Sequence, residues 1–313
     1  MTTKLHTILG AGGTVSNQLL PILLGNKERV RLVSRKTERV QGAESFSADV
    51  TNYQQVLDAV KGSDIVYLLV GLQYDVHVWK ESWPKIMTNV INACKATGSK
   101  LVFFDNVYMY GLVNGVMTES TPFNPCSKKG EIRAAIAAQL MDQMKAGNLQ
   151  AMIARSADFY GPVGFQVSVA NMLVFKNLKA GKKAQWLLNA KVPHSFTYVP
   201  DAAKAVYILA NSDHAFGQTW HMPTAANPIT GEVFIKLAAE YMQVNKGYSV
   251  MSKWMMQLAG LLIKPVKESV EMGYQNEFAY VFDSSKFNKA FSFEPISYDN
   301  GIRETAIWTL GQP

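Results

Sequence analysis

Thr7-Ile-Leu-Gly-Ala-Gly-Gly-Thr-Val-Ser16 joins an apolar run to a segment whose apolar residues have helical spacing. This order predicts a strand, a tight turn and a helix, with glycines that let the backbone turn sharply. The N–H groups at the start of a helix attract anions, and a glycine loop lets a pyrophosphate come close to them. We therefore predict a dinucleotide site here, with a simple β-turn as the alternative. The residues predicted to hold the dinucleotide are Gly10, Gly12, Gly13, Thr14 and Val15.

The second predicted strand, residues 30–35, ends in basic rather than acidic side chains. An NAD-selective site has Asp or Glu at this point, where the carboxylate bonds to the ribose hydroxyl groups. Here the strand ends in Ser34 and Arg35, and an arginine can bind a 2′-phosphate through two hydrogen bonds. We predict NADP(H) rather than NAD(H) as the cofactor. The alternative is a basic strand end that is merely solvated.

Composition narrows the class of protein. The 313 residues are 48% hydrophobic, which is enough for a sizeable core. The net charge of +7 is spread along the chain without a dense basic block, so we do not expect nucleic-acid binding. Two cysteines and five histidines show no disulfide framework and no metal-ligand spacing, so we expect no metal. Without a signal sequence or an apolar run of roughly 18–20 residues, we expect a cytoplasmic protein with no membrane partner.

The first half of the chain alternates strands with helices. This alternation predicts an α/β fold, a doubly wound parallel sheet of Rossmann type. Further strands are predicted at residues 45–48, 64–70, 100–105, 150–155 and 219–222, and helices at 53–60, 83–97 and 128–144. Later helices are predicted near 168–180, 201–211, 230–242, 250–263 and 298–310.

We predict two domains. Residues 1–160 and about 195–228 would form the dinucleotide-binding Rossmann domain, and about 161–194 and 229–313 a smaller, mostly helical substrate subdomain. The helix at 250–263 is notably apolar and rich in methionine. Packing in the core or as a lid is expected for it, and contact with a second subunit or a membrane is the alternative.

The chain resembles the extended short-chain dehydrogenase/reductases of the NAD-dependent epimerase/dehydratase type over nearly its whole length. Gly10, Gly13 and Ser16 fall on the G-x-x-G-x-x-G frame of that superfamily. Further matching pieces are Asp49-Val50, Val70-Gly71, Asn89, Val107-Tyr-Met-Tyr-Gly111, Arg155-Ser-Ala-Asp-Phe-Tyr-Gly-Pro162 and Thr197-Tyr-Val-Pro-Asp201. The resemblance implies that Asp49 and Val50 lie against the adenine, and Val70 and Gly71 against the adenine ribose. It also implies a homodimer formed through the helices near 83–97 and 128–144.

The family's catalytic set is a Ser or Thr after the fifth strand and a Tyr-x-x-x-Lys pair on the next helix. In that set the lysine lowers the tyrosine pKa, so that the phenol can exchange a proton while a hydride moves. None of the thirteen tyrosines here has a lysine four residues later. Cys126 stands where the tyrosine is expected, Lys128 and Lys129 are displaced by a residue or two, and Asn106 occupies the Ser position.

Three hypotheses follow from this departure. In the first, Tyr108 is the proton donor, Lys128 or Lys129 tunes it, and Asn106 polarises a substrate oxygen. Tyr110 could serve instead of Tyr108, although either tyrosine could be a packing residue of the turn. In the second, Cys126 is a nucleophile. In the third, the protein binds the cofactor without turnover, as a redox sensor or regulator similar to the atypical NmrA-like members.

Four further residues are predicted to bind a small-molecule substrate: Tyr110, Arg155, Asp158 and His194. Arg155 and Asp158 follow the sixth strand, where ligands of such sheets bind, and an internal ion pair is the alternative. His194 could donate to a substrate oxygen, or it could be a surface or cap histidine. Together these features predict an atypical NADP(H)-binding oxidoreductase, or one similar to nucleotide-sugar epimerases. Its substrate would be a carbonyl or hydroxyl group of a small or sugar-like metabolite.

Overall fold

The computed structural model describes residues 3–36 and 39–313. Its strands are β1 (Leu5–Leu9), β2 (Arg29–Ser34), β3 (Ala43–Ser47), β4 (Ile65–Leu68), β5 (Lys100–Asp105), β6 (Val116–Met117), β7 (Ala151–Arg155), β8 (Asp158–Tyr160), β9 (Ala184–Leu187), β10 (Pro193–His194), β11 (Phe196–Tyr198), β12 (Thr219–His221), β13 (Ile229–Thr230), β14 (Tyr248–Met251) and β15 (Val281–Phe282). Its α-helices are α1 (Thr14–Gly25), α2 (Tyr53–Val60), α3 (Val76–Thr97), α4 (Lys128–Lys145), α5 (Lys176–Lys179), α6 (Val199–Ala210), α7 (Gly231–Tyr241), α8 (Lys253–Leu262), α9 (Lys264–Ser269), α10 (Tyr274–Glu277), α11 (Ser285–Ala290) and α12 (Tyr298–Gly311).

A seven-stranded sheet in the order β12-β7-β5-β4-β1-β2-β3 forms the core of the first half. Its pairs from β7 through β3 are parallel, with Ile8 of β1 facing both Leu32 and Tyr67. Every residue of β1, β4 and β7 is buried, because helices cover both faces of such a sheet, and β4 is accordingly an uninterrupted apolar run. The predicted doubly wound parallel sheet is confirmed, and so is the predicted strand at 219–222.

The strand order reverses between β1 and β4. From β1 the chain proceeds outward to β2 and β3 on one side, and then to β4, β5 and β7 on the other. Since parallel crossovers are right-handed, the connecting helices of the two directions lie on opposite faces of the sheet. A crevice therefore opens at the carboxyl ends of β1 and β4, where ligands of doubly wound sheets bind.

The chain forms two compact units. The first comprises Met1–Met109, Lys129–Arg155 and Ala203–Trp220 and contains the large sheet. The second comprises Tyr110–Lys128, Ser156–Ala202 and His221–Pro313. It carries four two-stranded ladders and an aromatic core that includes Tyr160, Trp186, Phe196 and Phe234. How this division relates to cofactor and substrate binding stays a prediction.

Helix α3 begins about two turns earlier than the sequence pattern predicted. The prediction started the helix near Trp83, from the helical spacing of the apolar residues Ile86, Val90, Ile91 and Cys94. In the structure Asp75 caps the helix instead, accepting a hydrogen bond from the N–H of His77 at 2.8 Å, and Pro84 lies inside. The capping carboxylate therefore decides where this helix starts.

Helix α8, in the second unit, exposes much of its apolar surface. Met256 and Gly260 are buried, whereas Trp254, Leu258 and Leu261 are mostly exposed and the following Leu262 is 92% exposed. The expectation that this segment packs in the core therefore holds for one face only.

Candidate functional site

The glycine loop, residues 10–13, connects β1 to α1. Gly10 has a φ of +105°, and a Cβ atom there would lie 2.8 Å from backbone atoms of Leu69 and Val70. The N–H groups of Gly10 and Ala11 both donate to the Val33 carbonyl at 3.0 Å. The loop is therefore fixed between the ends of β2 and β4, where the strand order reverses, and its first position has no room for a side chain.

The start of α1 has the features of an anion site. Gly12 has a φ of +81°, and a Cβ atom built there meets nothing within 4 Å, so this side of the loop is open. Gly13 is the N-cap, and the first turn carries no acidic residue. The N–H groups of a helix's first turn have no partner within the helix, so those of Thr14 and Val15 suit a phosphate. Ser16, the third position of the glycine frame, is buried, and the packing accommodates its hydroxymethyl group.

The end of β2 is basic. The Ser34 hydroxyl donates to the Lys36 carbonyl, and the Ser47 hydroxyl donates to the Arg35 carbonyl at 3.2 Å. Arg35 and Lys36 are exposed. Hydrogen bonds from the Thr51 N–H and hydroxyl lower the pKa of Asp49, and the positive charge of Arg35 acts in the same direction. Arg35 is thus close enough to Asp49 to interact with it electrostatically.

The residues that the resemblance assigns to the adenosine lie on two segments, each of which follows a strand of the large sheet. Asp49 and Val50 follow β3, and the Val50 carbonyl accepts a hydrogen bond from Asn89 of α3 at 3.1 Å. Val70 is half-buried and Gly71 is exposed, directly after β4. The role of these residues in cofactor binding stays a prediction, and their positions at strand ends are compatible with it.

A buried charge cluster lies where β5 and β7 end. The Arg133 side chain of α4 donates to Asp105 Oδ1, with its Nε at 2.7 Å. Arg155 Nε lies 3.7 Å from the other carboxylate oxygen of Asp105. The Arg133 guanidinium also stacks over the Trp83 ring, 4.4 Å from its centroid. Arg155 is 1% exposed and faces this internal carboxylate, so Asp105 is an ion-pair partner of it, and its predicted contact with a substrate stays a prediction.

Asn106 and Tyr108 come shortly after Asp105 in the chain. The Tyr108 N–H is 3.0 Å from Asn106 Oδ1. Since a backbone N–H can only donate, this contact fixes the orientation of the Asn106 amide, whose Nδ2 points the other way. The Tyr108 ring stacks on Trp79, with centroids 6.2 Å apart and planes at 13°. Both residues thus have defined orientations, and their predicted catalytic roles stay predictions.

The two predicted lysines differ sharply in environment. Lys128 is exposed, and its backbone N–H donates to Glu271 at 2.8 Å. Lys129 is fully buried, with its Nζ 4.7 Å from the centroid of the Tyr74 ring. A cation over an aromatic face is attracted by the ring's electron density. Lys129 thus contacts a tyrosine that follows β4, and its predicted role in tuning Tyr108 stays a prediction.

In the second unit, Tyr110 has a structural partner. Its hydroxyl lies 2.9 Å from His221 Nε2, and His221 Nδ1 lies 2.7 Å from the Asp283 carbonyl. A carbonyl only accepts, so Nδ1 carries the proton and Nε2 accepts from the Tyr110 hydroxyl. With its side chain 1% exposed, Tyr110 is a core tyrosine, which is the packing alternative of the sequence analysis.

His194 and Asp158 pair with each other, also in the second unit. His194 Nε2 is 3.0 Å from Asp158 Oδ2, and the imidazole is sandwiched between Phe196 and Tyr280, each 4.5 Å from it by ring centroid. His194 is buried, and Asp158 is partly exposed. This is a histidine held in an aromatic core by a carboxylate. Its predicted contact with a substrate stays a prediction.

The two cysteines are free thiols of opposite character. Cys94 is buried in α3, and burial raises its pKa to about 12. Cys126 is exposed. Among residues 3–36 and 39–313 the structure has no cluster of histidine, cysteine and acidic side chains that could hold a metal ion. In the same part of the chain no helix is both long enough and apolar enough to cross a bilayer.

A comparison with known protein families identifies the family of this chain. Residues 6–221 match the NAD dependent epimerase/dehydratase family, so the chain belongs to that family, as its sequence resemblance predicted. A search of curated proteins finds no match.

Solved structures share the fold at low sequence identity. A UDP-N-acetylglucosamine 4-epimerase from Methanobrevibacter ruminantium, in complex with UDP-N-acetylmuramic acid, is 17% identical over 100% of both chains, with a TM-score of 0.79. The UDP-glucose 4-epimerase of Thermus thermophilus, in complex with NAD, is 16% identical over 98% of this chain and 99% of its own, with a TM-score of 0.78. A double mutant of the dTDP-glucose 4,6-dehydratase of Streptomyces venezuelae, with NAD bound, is 14% identical over 98% and 96%, with a TM-score of 0.79.

Sequence reasoning did not single out Tyr74, Trp79, Asp105 or Arg133. Asp105 and Tyr74 could have been noticed, because both stand just after or at the carboxyl end of a sheet strand, where ligands bind. Trp79 and Arg133 gave no such signal. Each lies within a helix, and only the folded structure brings them to Tyr108 and Asp105.

Proposed function

We propose that this protein is an NADP(H)-dependent oxidoreductase that acts on a carbonyl or hydroxyl group of a small or sugar-like metabolite. The observation that carries the proposal is the glycine loop. It is pinned between β2 and β4, closed to side chains at Gly10 and open at Gly12, in front of a helix start without acidic residues. These features fit a pyrophosphate, and membership of the epimerase/dehydratase family supports a nicotinamide cofactor.

Several residues of the first unit would hold the cofactor. Gly12, Gly13 and the N–H groups of Thr14 and Val15 would bind the pyrophosphate, and Asp49, Val50, Val70 and Gly71 the adenosine. Arg35 and Ser34 would bind the 2′-phosphate, because β2 ends in the uncharged Ser34 and is followed directly by the guanidinium of Arg35. Two of the solved relatives described above carry NAD. The proposed preference for NADP(H) therefore depends on the basic end of β2 in this chain.

The chain's own residues would handle the proton. Bound nicotinamide supplies or accepts the hydride. Asn106 can donate from Nδ2 to a substrate oxygen, because its Oδ1 is occupied by the Tyr108 N–H. We assign the proton exchange to the Tyr108 hydroxyl, since Trp79 holds that ring in one orientation. Lys129 lies over Tyr74, so Tyr74 is the competing phenol.

A second candidate function is cofactor binding without turnover, as in a redox sensor or regulator. It is favoured by Cys126 at the position expected for tyrosine and by the lack of a Tyr-x-x-x-Lys pair anywhere in the sequence. A family-type phenol–ammonium relay would then be missing. We further propose a cytoplasmic homodimer, for which the two free thiols are consistent with a reducing compartment.

Replacing Tyr108 by phenylalanine tests the proposal. We expect NADPH binding, followed by nucleotide fluorescence, to be unchanged, and the turnover of an active carbonyl substrate to fall about 100-fold or more. Tyr53→Phe, at an exposed tyrosine of α2, is the matched control and should leave the rate unchanged. Tyr74→Phe, run in parallel, tests the competing phenol.

Other outcomes separate the two functions. A full rate in Tyr108→Phe would remove this residue from the mechanism. NADPH binding without consumption across a broad panel of carbonyl compounds and nucleotide sugars would favour the sensor. If neither NADPH nor NADH binds to the folded protein, the assignment of a nucleotide site to the glycine loop is wrong.

A further inference from the structure

The second unit contains a cavity of about 410 Å³ with Cys126 in its wall. The lining comes from three segments of that unit: Leu112 and Cys126, then Leu188, then a helical stretch between Lys253 and Phe278. Small-molecule sites have volumes of roughly 300–1,000 Å³, so this cavity is large enough for a metabolite.

The wall of the cavity is largely apolar. Leu112, Leu188, Met256, Val270 and Phe278 contribute apolar surface, and Tyr274 adds a second aromatic ring. Binding of an apolar body to such a surface is favourable, because apolar area is removed from water on both sides. The same surface offers few hydrogen-bond donors to a polyhydroxylated sugar.

The charged residues of the wall do not suit an anion. Lys253 Nζ lies 3.4 Å from Glu277 Oε2, and Glu271 accepts the N–H of Lys128 at 2.8 Å. Among the described residues of the wall there are thus two carboxylates and one ammonium group, which is already paired. A nucleoside diphosphate brings two negative charges and is normally bound by arginines and lysines. It would face a wall of net negative charge.

We propose that this cavity binds the substrate and selects an uncharged carbonyl compound with an apolar body, rather than a nucleotide sugar. The inference narrows the proposed function and rests on it. It also departs from the nucleotide-sugar ligands named for the epimerases of similar fold.

The chain contains its own reporter for this cavity. Of its two cysteines, Cys94 is buried with a pKa raised to about 12, whereas Cys126 is exposed in the cavity wall. Because the thiolate is the reactive form, N-ethylmaleimide should label the native protein at Cys126 alone. Mass spectrometry of the wild type and of Cys126→Ser checks this selectivity.

The test measures how ligands slow the labelling of Cys126 in the full-length protein. We expect benzylacetone, an uncharged aromatic ketone, to slow labelling about fivefold at four times its dissociation constant. UDP-glucose at the same concentration should leave the labelling rate unchanged. Protection by UDP-glucose would overturn the inference, and so would the absence of protection by either compound.

Matched variants localise the effect. Phe278→Ala removes an aromatic wall residue and should raise the dissociation constant of benzylacetone about fivefold, so that the same concentration slows labelling by less than about twofold. Ile307→Ala changes an exposed apolar residue that does not line the cavity, and it should have no effect. Equal protection in both variants and the wild type would contradict binding in this cavity.

A parallel titration with NADPH separates this inference from the proposed function. If NADPH binds but benzylacetone gives no protection, the cavity assignment fails and the oxidoreductase proposal stands. If NADPH does not bind, the oxidoreductase proposal fails whatever the labelling shows.

Discussion

Arg35 directly follows the carboxyl end of β2, at the position to which we assign the proposed preference for NADP(H) over NAD(H). Its positive charge already acts on Asp49, and Ser34 before it carries no charge that would repel a phosphate. A guanidinium that binds the 2′-phosphate would contribute nothing to NADH, which lacks that group. The proposed preference for NADP(H) can therefore be tested at this residue alone.

We expect Arg35→Ala to lower the affinity for NADPH by about 10–100-fold and to leave the affinity for NADH unchanged. A charge-assisted hydrogen bond contributes about 1.5–3 kcal/mol, and about 1.4 kcal/mol corresponds to a factor of ten. Isothermal titration with both nucleotides measures the change. Arg29→Ala, at the exposed start of the same strand, is the control. An equal loss of affinity for NADPH and NADH would show that Arg35 does not bind the 2′-phosphate.

At the scale of the elements, one carboxylate joins β5, α4 and β7. Asp105 ends β5, and it lies between Arg133 of α4 and Arg155 at the end of β7. All three side chains are almost entirely buried. Removing one partner of such a cluster leaves an uncompensated buried charge, which is far more costly than losing an exposed pair.

Asp105→Asn should therefore lower the free energy of unfolding by about 3–5 kcal/mol, measured by urea denaturation. The change keeps the shape of the side chain and removes only the negative charge that Arg133 and Arg155 face. Glu44→Gln, at a half-exposed carboxylate paired with Arg31, should cost about 1 kcal/mol or less. A loss below about 1 kcal/mol for Asp105→Asn would show that the cluster adds little to stability.

The features that could be predicted from the sequence are those determined by residues adjacent in the chain. The glycine loop, the buried strands and the basic end of β2 each arise from adjacent residues, and the parallel sheet followed from their alternation. The two-stranded ladders of the second unit were not predicted, because strands of two to four residues are too short to show a period. The aromatic partner of Lys129 was missed as well, since Tyr74 and Lys129 are far apart in the chain and meet only in the fold.

At the scale of the whole molecule, stability should depend on pH through His6. This histidine lies in the buried strand β1, and burial lowers its pKa from 6.5 to about 4, with the charge of Lys4 acting in the same direction. In the unfolded chain His6 binds a proton near pH 6.5, whereas in the folded chain it does so only near pH 4. The histidine therefore causes no loss of stability above pH 6.5, and stability falls as the pH drops from 6.5 toward 4.

Lowering the pH across this window should cost up to about 3 kcal/mol at His6. Urea unfolding at pH 7.5 and pH 4.5 measures the loss, and His6→Gln should reduce the difference between the two values. His214→Gln, at an exposed histidine, should keep the full pH dependence. A pH dependence that is identical in His6→Gln and the wild type would contradict this assignment.

The path of the chain has a practical consequence for anyone cutting or recombining the gene. Three segments of one unit alternate with three segments of the other, so neither unit is encoded by a continuous stretch. A fragment that ends at Met109 would lack β7 and β12, two strands of its own sheet, and would expose β5 as a new edge. Exchange of the second unit between homologues would therefore require grafting three separate segments together, not joining two halves at a single crossover.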